Sequence, residues 1–123
     1  MSRKAIPKNI RELVFNKYNK HCAYCGCELE YKDMQVDHID SYYINTYYGN
    51  NDNIDISNLN PSCRMCNFYK STMSIEKLRE QLSLVVNRLN KNFTYRLAKK
   101  YNLIEEKENK IKFYYEVEKC QKN

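Results

Sequence analysis

Four cysteines stand in two pairs of equal spacing, Cys22 with Cys25 in HCAYCGC and Cys63 with Cys66 in NPSCRMCNFYK. One C-x-x-C turn aims two thiolates at a point, and two such turns complete the tetrahedral set a zinc ion takes. Gly26 lets the backbone fold back after the first pair. Between the pairs lies VDHID, which puts His38, one of only two histidines, directly after Asp37. A zinc ion that joins the two turns draws His38 toward the helix expected to start near Cys63. That helix carries Asn67 directly after Cys66. Asp37 and Asn67 offer oxygen ligands, which suit magnesium or another hard divalent ion. His38 titrates in the range that lets it take a proton from water near neutral pH. A metal ion beside such a base is an arrangement for phosphodiester hydrolysis.

Two competing readings of the cysteines are weaker. A redox pair needs one C-x-x-C beside a βαβ pattern, which this sequence lacks. Three disulfides would suit a secreted chain, but MSRKAIPKNI has no apolar stretch of the signal-peptide kind. The expectation is therefore a cytoplasmic protein with reduced thiols. Cys27 and Cys120 are left as ordinary free thiols. His21, next to Cys22, is a rival ligand by position, but four cysteines already fill the site, and it reads as a surface histidine.

The surrounding elements must place these groups. KNIRELVFNKYNK has helical spacing at Ile10, Leu13, Val14 and Tyr18. In ELEYKDMQVDHID, the spacing of Tyr31, Met34 and Val36 predicts a short hairpin turning at Lys32-Asp33, with VDH ending its second strand. Successive strand residues point opposite ways, so the strand is expected to end or bend at His38. Residues 41–57 read as a long loop with Tyr42, Tyr43, Tyr47 and Tyr48. A helix is expected from Arg64, and a longer one after Ser74 with a stripe of Ile75, Leu78, Leu82, Val85, Val86 and Leu89. A short helix follows at TYRLAKKYN. In IKFYYEVE, the alternation of Ile111, Phe113, Tyr115 and Val117 with polar neighbours predicts a terminal strand.

The chain has 123 residues, enough for one domain with a small core that a metal staple would help. Its net charge of +6 fits a polyanionic partner without requiring one. No apolar run is long enough to span a membrane.

In combination, CAYCG, VDHI, N-L and C-x-x-C-N-x-x-K over roughly residues 10 to 72 resemble the HNH endonucleases in their zinc-containing ββα-metal form. The resemblance implies that Asp37 binds the catalytic metal and His38 is the general base. It implies that Asn58 holds the loop and orients the base, and that Asn67 is the second metal ligand. Cys22, Cys25, Cys63 and Cys66 match the family's structural zinc site, and Lys70 a basic position near the nucleic-acid backbone. Arg64 flanks the same site. The tail, YRLAKKYNL with IKFYYEVE, resembles extensions on small phage and bacterial members. Two departures stand out: the SYYINTYYGNNDN segment after DHI has no proline and only one glycine, Gly49, and the last motif position is Asn67 rather than histidine.

The expected fold class is α+β. A zinc-stapled ββα-metal core at 10–72 is followed by a helical extension and terminal strand at 73–123, all within one domain. The expected activity is metal-dependent hydrolysis of DNA, double-stranded by resemblance, with Mg2+ or Mn2+ at the catalytic position. The alternative is a non-catalytic zinc module on the same scaffold that binds nucleic acid or inhibits a protein partner such as another nuclease. Oligomeric state is left open by the sequence.

Overall fold

The structure is a computed structural model, which describes residues 6–40 and 55–121, with side chains to residue 117. The tyrosine-rich stretch 42–48, Gly49 and the Cys120 thiol lie outside the described residues. The chain divides into two compact units, residues 1–75 with 112–123, and residues 76–111.

In the first unit, helix α1 spans Lys8–Asn16. Pro7 stands just before it, where its fixed φ and missing N–H carry no penalty. The helix is shorter than its apolar spacing predicts, because Asn19 and Lys20 both adopt positive φ and turn the chain into the first cysteine pair. Strand β1 (Gln35–His38) pairs antiparallel with β2 (Leu59–Ser62), in the register Asp37 opposite Asn60 and His38 opposite Leu59. Helix α2 (Arg64–Lys70) follows directly, so β1, β2 and α2 make the expected ββα unit. Val14, Met34 and Leu59 form its apolar centre, with Ile10, Phe15, Leu29 and Val36 packed around them.

Two expectations are corrected. The hairpin does not turn at Lys32-Asp33. Tyr31–Asp33 is a single 3-10 turn, held by Arg11, whose guanidinium donates to the carbonyls of Tyr31 (2.7 Å) and Met34 (2.8 Å). The partner of β1 is instead the LNPS segment, Leu59–Ser62. The terminal strand is a helix, α6, spanning Tyr114–Gln121. Its first turn explains why the alternation misleads. Phe113 N–H donates to the Glu116 carboxylate (2.8 Å), half of a capping box. The N–H groups of Tyr114 and Tyr115 donate to the carbonyls of Tyr24 (3.0 Å) and Ala23 (2.8 Å). The donors that a helix start leaves bare thus find acceptors in the first cysteine turn, and Phe113 is buried beside it.

In the second unit, α3 (Ile75–Ser83, counted from Glu76) and α4 (Val85–Leu89) replace the one long helix expected after Ser74. Ser83 Oγ donates to the Arg79 carbonyl (2.9 Å), a bond that bends helices, and the break follows at Leu84. Helix α5 (Phe93–Lys100) is capped by Asn92, whose side chain accepts from Tyr95 N–H (2.9 Å). Residues 104–113 beyond it have no regular secondary structure and are tied back by Glu106. That carboxylate accepts from Asn90 (2.7 Å) and Tyr95 (2.9 Å) and pairs with Lys99 (3.1 Å). Among the described residues no helix is long and apolar enough to cross a membrane.

Candidate active site

The two cysteine turns meet. The sulfurs of Cys22, Cys25, Cys63 and Cys66 all lie within 4.8 Å of one another. Cys25 and Cys63 are 3.8 Å apart, which matches the edge, about 3.8 Å, of a tetrahedron with ~2.3 Å zinc–sulfur bonds. The first turn closes through Gly26 N–H to Cys22 O (3.0 Å) and Cys22 N–H to Cys27 O (2.8 Å). Gly26 sits at φ +82°, and a Cβ there would lie 2.8 Å from the Tyr114 ring. Backbone N–H groups of Tyr24 and Cys66 point at the sulfurs of Cys22 and Cys63, each at 3.4 Å. The hydrogen bond with Cys66 holds the Cys22 thiol down at about 4 and pushes Cys66 up. Four sulfurs so close exist together as thiolates only with a cation among them, so the donor set fits a zinc ion. Cys27 is exposed and outside the set, and His21 stacks on Tyr114 at 5.2 Å between ring centroids.

Asp37 and His38 occupy the last two positions of β1, where the strand ends. Asp37 is buried, and its carboxylate is held from two sides. Tyr24 Oη donates to Oδ2 at 2.5 Å, and Lys70 Nζ lies 3.1 Å from the same oxygen. Oδ1 has only a longer contact with Lys70, 3.4 Å. One carboxylate oxygen therefore retains lone pairs for a hard cation, which is the donor chemistry a magnesium-type ion needs. Burial pushes the Asp37 carboxyl up, while Tyr24 and Lys70 pull it down. Burial also raises the Tyr24 hydroxyl, and the charge of Asp37 adds to it, so Tyr24 keeps its proton.

Lys70 is the main correction within the site. Expected at the nucleic-acid backbone, it is instead fully buried. Its ammonium pairs with Asp37 and donates to the His38 carbonyl at 2.9 Å. An unpaired ammonium would be too costly to bury, and the Asp37 charge beside it makes the position tenable. Arg64 lies exposed at the start of α2.

Asn58 clamps the chain that leaves His38. Its side-chain oxygen accepts from Asp40 N–H (2.9 Å), its amide donates to Asp40 O (3.1 Å), and its carbonyl accepts from Ile39 N–H (2.9 Å). Asn67 lies half-buried on α2, one turn before Lys70, and makes no side-chain hydrogen bond among the described residues. The structure thus ties together Asp37, Lys70 and the His38 backbone, and separately Asn58 with Asp40. It does not bond Asn67 to either group. Sequence reasoning missed Tyr24 and Asn60. Asn60 is fully buried and links Lys17 Nζ (3.3 Å) to Tyr24 Oη (3.4 Å). The available signal for Tyr24 was an aromatic residue inside a metal turn; Asn60 gave none, because its place opposite Asp37 depends on a pairing that the sequence does not show.

A family model described as HNH endonuclease matches residues 22–72. That stretch of the chain is similar to the HNH endonucleases. The matched stretch begins at Cys22, holds all four thiols, Asp37, His38, Asn58 and Asn67, and ends just beyond Lys70. HNH domains in general act on DNA as nucleases. No curated protein and no solved structure matches the chain.

Proposed function

We propose that the protein is a metal-dependent endonuclease that hydrolyses DNA phosphodiester bonds, double-stranded DNA first, with His38 as general base. The observation that carries the reading is that the matched HNH segment folds as a ββα unit with Asp37 and His38 closing its first strand. His38 takes a proton from the attacking water. Asn58 acts on it indirectly, by fixing the backbone at Ile39 and Asp40 directly after the base. Lys70 holds the His38 carbonyl from the other side. Asp37 and Asn67 are the residues to hold a divalent ion, Mg2+ or Mn2+. Such an ion supplies charge stabilisation to the phosphate and the departing oxygen. Arg64, exposed on the same helix as Asn67, contacts the phosphate backbone, so binding weakens as salt rises.

One observation favours a second reading. The charge of Asp37 is already met inside the protein by Lys70. A non-catalytic zinc module, binding nucleic acid or a protein partner such as another nuclease, can keep that arrangement without any divalent ion. Supercoiled plasmid incubated with Mg2+ or Mn2+ separates the two. The nuclease reading expects cleavage by the parent and a loss of at least ~100-fold in a folded, zinc-loaded His38→Ala variant. A parent that cuts neither supercoiled, linear nor single-stranded DNA leaves the binding module as the better account.

A further inference from the structure

The two groups that hold Asp37 come from different cysteine turns. Tyr24 lies between Cys22 and Cys25 in the first turn. Lys70 closes α2, whose start supplies Cys63 and Cys66 in the second. Tyr24 has little freedom of its own. Its N–H points at Cys22 Sγ (3.4 Å) and its carbonyl accepts from Tyr114 N–H (3.0 Å). Its ring is buried edge-on against Phe113 and Tyr115, with centroids 5.6 and 6.1 Å away. Asn60 donates an amide proton to the Tyr24 hydroxyl (3.4 Å), which commits the hydroxyl's own proton to Asp37. Lys70 is equally fixed, with no exposed surface and two acceptors, Asp37 and the His38 carbonyl. An ion that joins the four thiols therefore sets the separation between the Tyr24 hydroxyl and the Lys70 ammonium, and with it the grip on Asp37.

We propose that Tyr24 is a positioning residue that couples the four-thiol centre to the Asp37 carboxylate, so that the state of the thiol centre is felt at the catalytic position. The part of this that concerns divalent-ion binding rests on the nuclease reading above; the coupling itself does not. Partners that orient a ligating carboxylate change metal affinity by roughly 10- to 100-fold when removed.

The test compares the full-length parent with Tyr24→Phe, and with Tyr31→Phe as a hydroxyl control remote from Asp37. Each is loaded first with zinc and then with cadmium, a larger ion of the same thiol preference, and metal content and circular dichroism are checked. The readout is the Asp37 side-chain carboxyl carbon resonance, assigned with Asp37→Asn. Exchanging zinc for cadmium is expected to move that resonance in the parent and in Tyr31→Phe, and to move it less than half as far in Tyr24→Phe. Mn2+ titration followed by electron paramagnetic resonance is expected to show about tenfold weaker binding in Tyr24→Phe, with KM for DNA unchanged. A parent resonance that ignores the exchange overturns the proposal. So does an equal movement in Tyr24→Phe, or parental Mn2+ affinity in a folded, zinc-loaded Tyr24→Phe. If the parent binds no Mn2+ and cuts no DNA, the nuclease reading falls while the cadmium comparison still decides the coupling. Should Tyr24→Phe fail to fold, 3-fluorotyrosine at position 24 keeps the shape and changes the hydroxyl's acidity, and the same resonance is read.

Discussion

The HNH segment and the unit at 76–111 are stabilised by opposite means. The HNH segment hides polar groups: Asp37, Asn60, Ser62 and Lys70 are all buried, and each has a partner. In the other unit no polar or charged side chain is buried among the described residues. Its polar contacts, such as Asn92 capping α5 and Glu106 gathering Asn90, Tyr95 and Lys99, lie at the surface. Buried charge is costly unless every partner is in place, so it survives where a geometry has to be held. Surface caps and ion pairs fix local shape and little more. The contrast locates the demanding geometry at the end of β1.

The sharpest way to break the contrast is to remove the metal. Binding energy at a four-thiol site becomes folding energy, on the order of 10 kcal/mol in small zinc domains. A strong chelator is expected to unfold the 1–75 unit while α3 to α5 keep part of their helical signal. Residue-resolved hydrogen exchange with and without chelator checks this, and equal protection in both states at residues 22–38 would sink it. The next largest effect is Lys70→Ala, which leaves the buried Asp37 charge without its cation and is expected to cost about 3–5 kcal/mol in denaturant unfolding. A loss under 1 kcal/mol would mean the pair is not as enclosed as its geometry states.

The smallest effect belongs to the other region. Hydrogen bonds from Asn90, Lys99 and Tyr95 hold the Glu106 carboxyl below its ordinary value. A depressed folded pKa stabilises the fold above the unfolded pKa, about 4.3 for glutamate, and that stabilisation fades as pH falls through the folded value. Acid is therefore expected to release the segment around Glu106, with faster amide exchange there at neutral pH in Glu106→Gln. The HNH segment should show no matching change in that variant.

How far the sequence foretold this depends on the range of the interactions. The four thiols, the ββα order and the start of α2 were legible because spacing alone encodes them. The hairpin was misplaced because the true partner of β1 lies far along the chain, at Leu59–Ser62, and local alternation carries no record of a distant strand. The terminal helix was misread because its decisive contacts are carbonyls of Ala23 and Tyr24, some ninety residues away in sequence. Glu116 was the one local clue, three residues beyond Phe113 as a capping box requires. Lys70 was read as a phosphate contact because its charge is visible in sequence and its burial is not. Tyr24 showed only as an aromatic residue inside a metal turn, and nothing in CAYC says where its hydroxyl reaches.

Strand β2 has a further consequence. A two-stranded sheet has open edges, and an open edge recruits foreign strands. On the side of β2 facing away from β1, the Leu59 N–H bonds Ile56 O and the Leu59 carbonyl takes Lys17 Nζ (2.7 Å). The Pro61 carbonyl takes Ala23 N–H (2.8 Å), and proline has no N–H to offer. The edge thus has neither a donor nor an acceptor left for a neighbouring chain. A sheet this small resists templated aggregation at the very strand that leads into the helix of the site.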